Sequence, residues 1–237
     1  MPTASGKTLV AYMAILRKLL VDEPGSRAVY IVPLKALASE KVEELQQAGD
    51  ALGLNVGIAI GDRTGEALRI DDADVLVCTS EKFDSMLRNR DDLLERVSIV
   101  IADEVPLIHD ASRGPTLEVN LARVRDVRPG AQIIALSATV GNAADIADWL
   151  DATLITSDWR PVTLQYATEC DLEVEVRRQV MAGDDEGTLP PPRKIPGKKT
   201  QPLEAILNDV VAAGGQLLCF VSTRRSAVSA ATKLGKR

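Results

Sequence analysis

The sequence predicts an α/β fold in which a parallel sheet is covered by helices on both faces. Two observations predict it. Five short runs are rich in valine and isoleucine and bounded by polar or turn residues: Ala28 to Val32, Val56 to Ile60, Asp74 to Cys78, Ser98 to Ala102 and Gln132 to Leu136. Runs that are apolar throughout, rather than in alternation, read as strands buried on both faces. Between them, Leu37 to Leu52, Glu81 to Arg90 and Thr116 to Val127 show helical spacing, with Leu37, Val42, Leu45 and Leu52 near one face. Strands alternating with helices pair in parallel, because each helix carries the chain back to the end of the sheet where it started.

Composition narrows the class. The 237 residues suffice for one or two domains, and 46% hydrophobic residues exclude wholesale disorder. No apolar run reaches the roughly 20 residues of a membrane span, and no basic start leads into an apolar stretch as in a secretion signal. The expectation is a soluble, cytoplasmic chain with no membrane partner. Cys78, Cys170 and Cys219 lie far apart without a C-x-x-C pair and read as three buried small apolar residues in a reducing compartment. His109 is the single histidine, so an imidazole–thiolate metal site is not expected. The net charge of −6 speaks against indiscriminate adhesion to nucleic acid but leaves room for a local basic groove. Aromatics at 3% speak against extensive base stacking.

A composition break divides the chain. Gly183 to Thr200 reads G-D-D-E-G-T-L-P-P-P-R-K-I-P-G-K-K-T, with four prolines and no periodicity. Beyond it come a helical pattern (Pro202 to Ala213), an apolar run read as a strand (Gln216 to Val221) and a second helical pattern (Arg224 to Leu234). The expected organisation is a first domain over 1–182, a linker or loop over 183–200, and the opening of a second domain over 201–237.

Three motifs carry chemistry. Residues Pro2 to Thr8, P-T-A-S-G-K-T, match the phosphate-binding loop G-x-x-x-x-G-K-[ST] in every position they cover, with Met1 where its first glycine belongs. In such a loop successive backbone N–H groups and the next helix N-terminus cradle an anion, here over Thr3, Ala4, Ser5, Gly6, Lys7 and Thr8. Gly6 lets backbone approach phosphate, Lys7 reaches the β- and γ-phosphates, and the Thr8 hydroxyl ligates Mg²⁺. The cofactors implied are ATP and Mg²⁺. Ser98 to Glu104, S-I-V-I-A-D-E, is an apolar strand ending in two acids. Asp103 would hold Mg²⁺ through water, and Glu104 would polarise the attacking water. Ser137-Ala138-Thr139 follows the last apolar run. Alone, these three read plainly as a turn, two solvated acids and a helix N-cap. In this order and spacing they form a set that suits a nucleotide hydrolase.

Thr3 to Thr8, Pro33-Leu34-Lys35-Ala36-Leu37, Thr79-Ser80-Glu81-Lys82, Asp103-Glu104-Val105, Ser137-Ala138-Thr139 and Phe220 to Arg225 stand in the order of superfamily 2 helicase motifs I, Ia, Ib, II, III and IV. With Arg113 to Glu118, Ala138 to Asn142 and Asp158 to Val162, nearly the whole chain resembles the archaeal Hjm-type DNA helicases, kin to the helicase part of polymerase theta. The resemblance implies a motor of two RecA-like domains that binds ATP between them and moves 3′ to 5′ on single-stranded or forked DNA at stalled replication forks. It implies that Pro33, Lys35, Thr79, Ser80 and the turn at Gly61-Asp62 face DNA, and that Ser137 and Thr139 couple the acidic motif to a neighbouring domain.

The sequence departs from the family pattern in three places. The strand and adenine-contacting segment before the phosphate loop are missing, and so are motifs V and VI with their arginines. Motif II usually reads D-E-x-H; here the fourth position is Pro106, which offers neither side-chain donor nor backbone N–H, so the usual link from motif II to motif III is not expected. His109 reads as a plain surface or cap histidine. The chain therefore reads as part of a DNA helicase, truncated at both ends. The alternative is a non-catalytic nucleotide- or DNA-binding remnant, or half of a split helicase whose second chain supplies the missing motifs.

Overall fold

The apolar runs become strands β1 (Arg27–Val32), β2 (Val56–Ala59), β3 (Val75–Thr79), β4 (Val97–Ala102) and β5 (Gln132–Ala135), and these pair in parallel in the order β2-β3-β1-β4-β5. The computed structural model describes residues 6–61, 70–90, 92–111, 113–138, 141–182 and 188–235, and of Leu107 and His109 the backbone alone. The described chain divides into two compact units, Met1–Trp159 and Arg160–Arg237.

In the first unit, helices α1 (Lys7–Arg17, continued by a π turn Lys18–Asp22) and α2 (Lys35–Leu52) cover one face of the sheet. Helices α3 (Ser80–Asn89), α4 (Gly114–Val127) and α5 (Ala143–Leu150) cover the other. The alternation of side chains along a strand decides which layer each residue joins. Ala28, Tyr30 and Val32 of β1 and Ile99 and Ile101 of β4 pack with Ala11, Ile15, Leu19, Ala38 and Leu45. Val29 and Ile31 pack with Phe83, Met86, Leu87, Leu117, Leu121 and Val124. All six residues of β1 and of β4 are buried, as a two-sided sheet requires.

The buried stripe of α2 differs from the one the sequence suggests. Ala38, Lys41, Leu45 and Gly49, at intervals of three and four, form it, whereas Leu52 is 45% exposed. Gly49 sits there because a Cβ would stand 2.9 Å from the Leu54 carbonyl oxygen.

The connection from β1 passes through α2 on one face toward β2, and that from β4 passes through α4 on the opposite face toward β5. Connections leaving neighbouring strands in opposite directions open a crevice at their carboxyl ends. This crevice lies between β1 and β4.

In the second unit, β6 (Leu164–Cys170) and β7 (Glu173–Val180) form an antiparallel hairpin, and β8 (Arg193–Lys194) pairs with β7. Helix α6 (Pro202–Ala212) is tied to β8 by Arg193, whose guanidinium donates to both carboxylate oxygens of Asp209 at 2.9 and 2.6 Å. Helix α7 (Arg224–Leu234) starts at a Thr223 cap, whose hydroxyl accepts from the Ser226 N–H.

Two expectations meet a different outcome here. The apolar run Gln216 to Val221 is not a strand, and Leu218 and Phe220 are 78% and 87% exposed. A strand exists through ladder bonds to a neighbour, and none of the described residues supplies one. Within the segment read as a linker or loop, Arg193 and Lys194 form β8, which pairs with β7. Of the three cysteines only Cys78 is buried; Cys170 ends β6 at a hairpin turn and Cys219 lies in the unpaired run, both exposed.

Among the described residues strand β5 hydrogen-bonds to β4 alone, and both its end residues are exposed. Extending the chain at its N-terminus with an apolar strand able to pair with that edge is therefore expected to raise the melting temperature, by about 2–4 °C for each kcal/mol gained in a unit of this size. Differential scanning calorimetry of the extended and original chains checks it; an unchanged transition would mean the edge is not what limits stability.

Candidate functional site

Parallel pairing brings the carboxyl ends of all five strands to one edge, and the residues singled out in the sequence stand there. The register sets Val32 opposite Thr79, Ile31 opposite Ala102, and Ala102 opposite Ala135. Pro33, Gly61, Thr79, Asp103 and Ser137 thus lie within two residues of strand ends along a single rim. Thr3, Ala4, Ser5, Asp62 and Thr139 lie outside the described residues.

Gly6 is the N-cap of α1 and takes a left-handed conformation, φ 83°, which favours a residue without Cβ. It offers no side-chain cap, and the first turn of α1 holds no acidic residue, an arrangement compatible with an anion at the positive end of the helix. Lys7 and Thr8 open the helix, both half-buried. Thr8 lies one turn before Tyr12 and so shares its face.

Asp103 follows β4, and its N–H donates to the Ile31 carbonyl at 2.9 Å, extending the β1–β4 ladder. Its Oδ1 accepts from the Glu104 N–H at 3.0 Å, and its Oδ2 accepts from the Tyr30 hydroxyl at 3.0 Å. One oxygen bond each leaves lone pairs free on both, a hard-oxygen donor of the kind Mg²⁺ takes. Glu104 is exposed and holds a left-handed φ of 52°, unusual for a residue with a side chain. Val105 then donates its N–H to the Leu136 carbonyl at 3.0 Å, and Leu136 donates to Ala102 at 2.8 Å. The acidic motif is therefore joined to the end of β5 through backbone, one residue before Pro106 and one before Ser137. Pro106 is the second residue of a 3-10 turn, Val105–His109, a first-turn position that needs no N–H. The side-chain link that Pro106 removes has a backbone counterpart. Ser137 is half-buried, and its hydroxyl donates to the Ala138 carbonyl at 2.5 Å.

Behind Asp103 runs a polar chain that sequence reading missed. The ring of Tyr30 meets that of Tyr12 from α1, centroids 6.0 Å apart. The Tyr12 hydroxyl donates to Glu44 of α2 at 2.5 Å, and Glu44 also accepts from the Lys41 ammonium at 3.0 Å. Burial, then the charge of Asp103, pushes the Tyr30 phenol well above its usual range; burial, then the bond to Glu44, does the same for Tyr12. Both hydroxyls therefore remain donors. A signal was available: a tyrosine inside a wholly buried strand must find a partner for its hydroxyl.

A second cluster gathers at the ends of β2 and β3. Gly61 has φ 69°, and its carbonyl accepts from the Lys82 ammonium at 2.8 Å. The Lys35 ammonium stands 3.4 Å from where a Cβ on Gly61 would be. Lys35 is exposed and Pro33 half-buried. Thr79 and Ser80 are buried, at 5% and 3% exposure: the Thr79 hydroxyl caps α3 by accepting from the Lys82 N–H at 3.4 Å, and the Ser80 carbonyl accepts from Asn120 of α4 at 2.8 Å. The turn thus gathers two lysines, Lys35 exposed and Lys82 half-buried, of which the sequence reading named only Lys35 as a site residue. Among the described residues no group of acids, cysteines and histidines could by itself hold a metal ion, and no helix is long and apolar enough to cross a membrane.

Doubly wound α/β sheets bind ligands outside the carboxyl ends of the strands, at the point where the connections reverse, so the class is a doubly wound α/β protein whose ligand crevice lies at the rim described here. Comparison with known sequences narrows the class: the DEAD/DEAH box helicase profile matches residues 1–146, and the chain belongs to that family. It is similar to the protein named ATP-dependent DNA helicase Hel308 from Methanocella arvoryzae, 42% identical over 99% of this chain and 30% of the relative. The proteins of that name from Thermococcus kodakarensis and Methanocaldococcus jannaschii are 42% and 38% identical over 100% and 98% of this chain, and 19% of each relative. The chain thus spans between about a fifth and a third of the length of these relatives.

The bond from Tyr12, then the ammonium of Lys41, holds the Glu44 carboxyl below its ordinary 4.5. A carboxyl depressed in the folded state contributes stability that is complete above its unfolded value and is lost as the pH falls through the folded one. Tyr12→Phe is therefore expected to lower the melting temperature at pH 7, with the gap to wild type narrowing below about pH 4.5. Thermal melts at pH 7 and pH 3 check it.

Proposed function

We propose that this chain is the ATP-hydrolysing part of a DNA helicase: a first RecA-like motor domain over 1–182, a connecting segment over 183–200, and the opening of a second motor domain from 201. The reading is carried by one observation, the alignment of Asp103 with the α1 face of the sheet at the β1–β4 crevice, through Tyr30 and Tyr12. The relatives' name, ATP-dependent DNA helicase, supports it.

In this reading the loop through Thr3, Ala4, Ser5 and Gly6 wraps the phosphates with backbone N–H groups, and Lys7 neutralises the β- and γ-phosphates. Thr8 and Asp103 would hold Mg²⁺, and that ion would supply positive charge beside the phosphate oxygens. Glu104, turned outward by its left-handed backbone, orients and deprotonates the attacking water. Phosphoryl transfer draws positive charge from both sides of a cleft; in this reading the second side belongs to the second motor domain. Single-stranded or forked DNA runs over the rim at β1–β3. Lys35, joined by Lys82, meets its phosphates, Pro33 and Gly61 shape the approach, and Thr79 and Ser80 act through the turn they build. Ser137 and Thr139 pass the state of the acidic motif onward, and translocation runs 3′ to 5′. The site is cytoplasmic.

Titration calorimetry tests the nucleotide half. Lys7→Ala is expected to weaken Mg-ATP binding about tenfold or more; equal affinity would remove Lys7 from the site. Glu104→Gln is expected to leave binding within about twofold while abolishing hydrolysis in a form long enough to hydrolyse ATP.

The nucleic-acid half is tested by salt. Each phosphate neutralised on a single strand contributes about 0.7 to the slope of log K against log salt. Lys35→Ala and Lys82→Ala are each expected to lower that slope by about this amount for oligonucleotides of any sequence. Slopes that do not move would take the lysine pair off the DNA path.

A further inference from the structure

We infer that Tyr30 is a positioning residue that fixes the carboxylate of Asp103 for Mg²⁺-dependent nucleotide binding. The inference rests on the functional reading above and extends it to a side chain outside every motif. Tyr30 lies in the middle of β1, fully buried, and is the only residue of that strand other than Arg27 with a polar side chain. Its register partner on β4 is Ile101. Asp103 stands two residues beyond Ile101, so it continues the same face of the strand, the face against which α1 packs. The Tyr30 hydroxyl spans those two positions and meets Oδ2 at 3.0 Å while the Glu104 N–H holds Oδ1 at 3.0 Å.

A carboxylate gripped on both oxygens has little freedom to rotate about its last bond. Its remaining lone pairs then point in a set direction, and binding does not have to freeze them. The grip is itself anchored. The Asp103 N–H is bonded to Ile31, next to Tyr30 in β1, and the tyrosine ring is backed by Tyr12, one turn along α1 from Thr8. One side chain thus touches both the strand end that bears the acid and the helix that begins with Lys7 and Thr8. A tyrosine needed only for packing would leave its hydroxyl to any acceptor, and a phenylalanine would serve as well.

The test compares wild type, Tyr30→Phe, Tyr12→Phe and Asp103→Asn by titration calorimetry with ATP, over a range of Mg²⁺ and with EDTA. Tyr30→Phe is expected to raise the Mg²⁺ concentration needed for half-maximal tightening about tenfold and to leave the affinity in EDTA unchanged. Tyr12→Phe, which keeps the ring contact, is expected to leave the Mg²⁺ midpoint where it was, and Asp103→Asn to remove the dependence. A Tyr30→Phe midpoint equal to wild type overturns the inference alone. A wild type whose ATP affinity ignores Mg²⁺ overturns the functional reading and this inference with it. Should Tyr30→Phe fail to fold, the unmutated chain labelled with 3-fluorotyrosine decides: it has three tyrosines, Tyr12, Tyr30 and Tyr166. Mg²⁺ added to the ATP complex is expected to shift the Tyr30 fluorine resonance and not that of Tyr166, and a Tyr30 signal that stays put overturns the inference.

Discussion

Strand β1 is the element on which the first unit is built. It pairs on both sides, with β3 and with β4, and all six of its residues are buried. The two helical layers meet the sheet through its alternate side chains, Ala28, Tyr30 and Val32 on one face and Val29 and Ile31 on the other. Burial on both faces demands that every polar group be matched, and β1 meets the demand at both ends. Arg27 donates to the carbonyls of Asp71 and Ala73 at 2.7 and 2.9 Å, closing the N-terminal edge, and Tyr30 donates to Asp103 at the opposite one. An unmatched donor at either place would cost about 1–3 kcal/mol.

The same constraint organises the acidic motif. Glu104 holds a conformation that ordinarily costs of order 1–3 kcal/mol, and it is flanked by bonds that impose it: Asp103 N–H to Ile31, and Val105 N–H to Leu136. The chain leaves β4, turns its second acid outward and is caught at once by the end of β5. Backbone does this work, so the tie survives the proline at position 106, which the side-chain logic of the family pattern treats as a loss. A bond between main chains is insensitive to the residue that follows.

In the second unit local preference and tertiary outcome part company. Gln216 to Val221 carries the composition of a buried strand, yet is largely exposed and finds no ladder among the described residues. Two residues of the proline-rich segment, Arg193 and Lys194, do pair, because β7 offers an edge and Asp209 holds the guanidinium of Arg193.

The sequence by itself determined the five parallel strands, the helices between them, and the order of the Gly-Lys-Thr helix start, the Asp-Glu pair and the Ser-Ala-Thr turn. Burial periodicity and turn chemistry are written locally, within a few residues of where they act. Ile99 and Ile101 announce their strand without reference to anything distant. The tertiary structure alone decided which strand lies beside which, and hence that the connections reverse between β1 and β4. It also decided which polar side chains meet across that boundary. Tyr30 and Asp103 are 73 positions apart, and Lys82 finds Gly61 across two elements. The stripe of α2, the exposure of Cys170 and Cys219, and the missing ladder at Gln216 to Val221 belong to the same class. Each depends on whether a partner distant in the chain comes to meet it, and no window of sequence settles that.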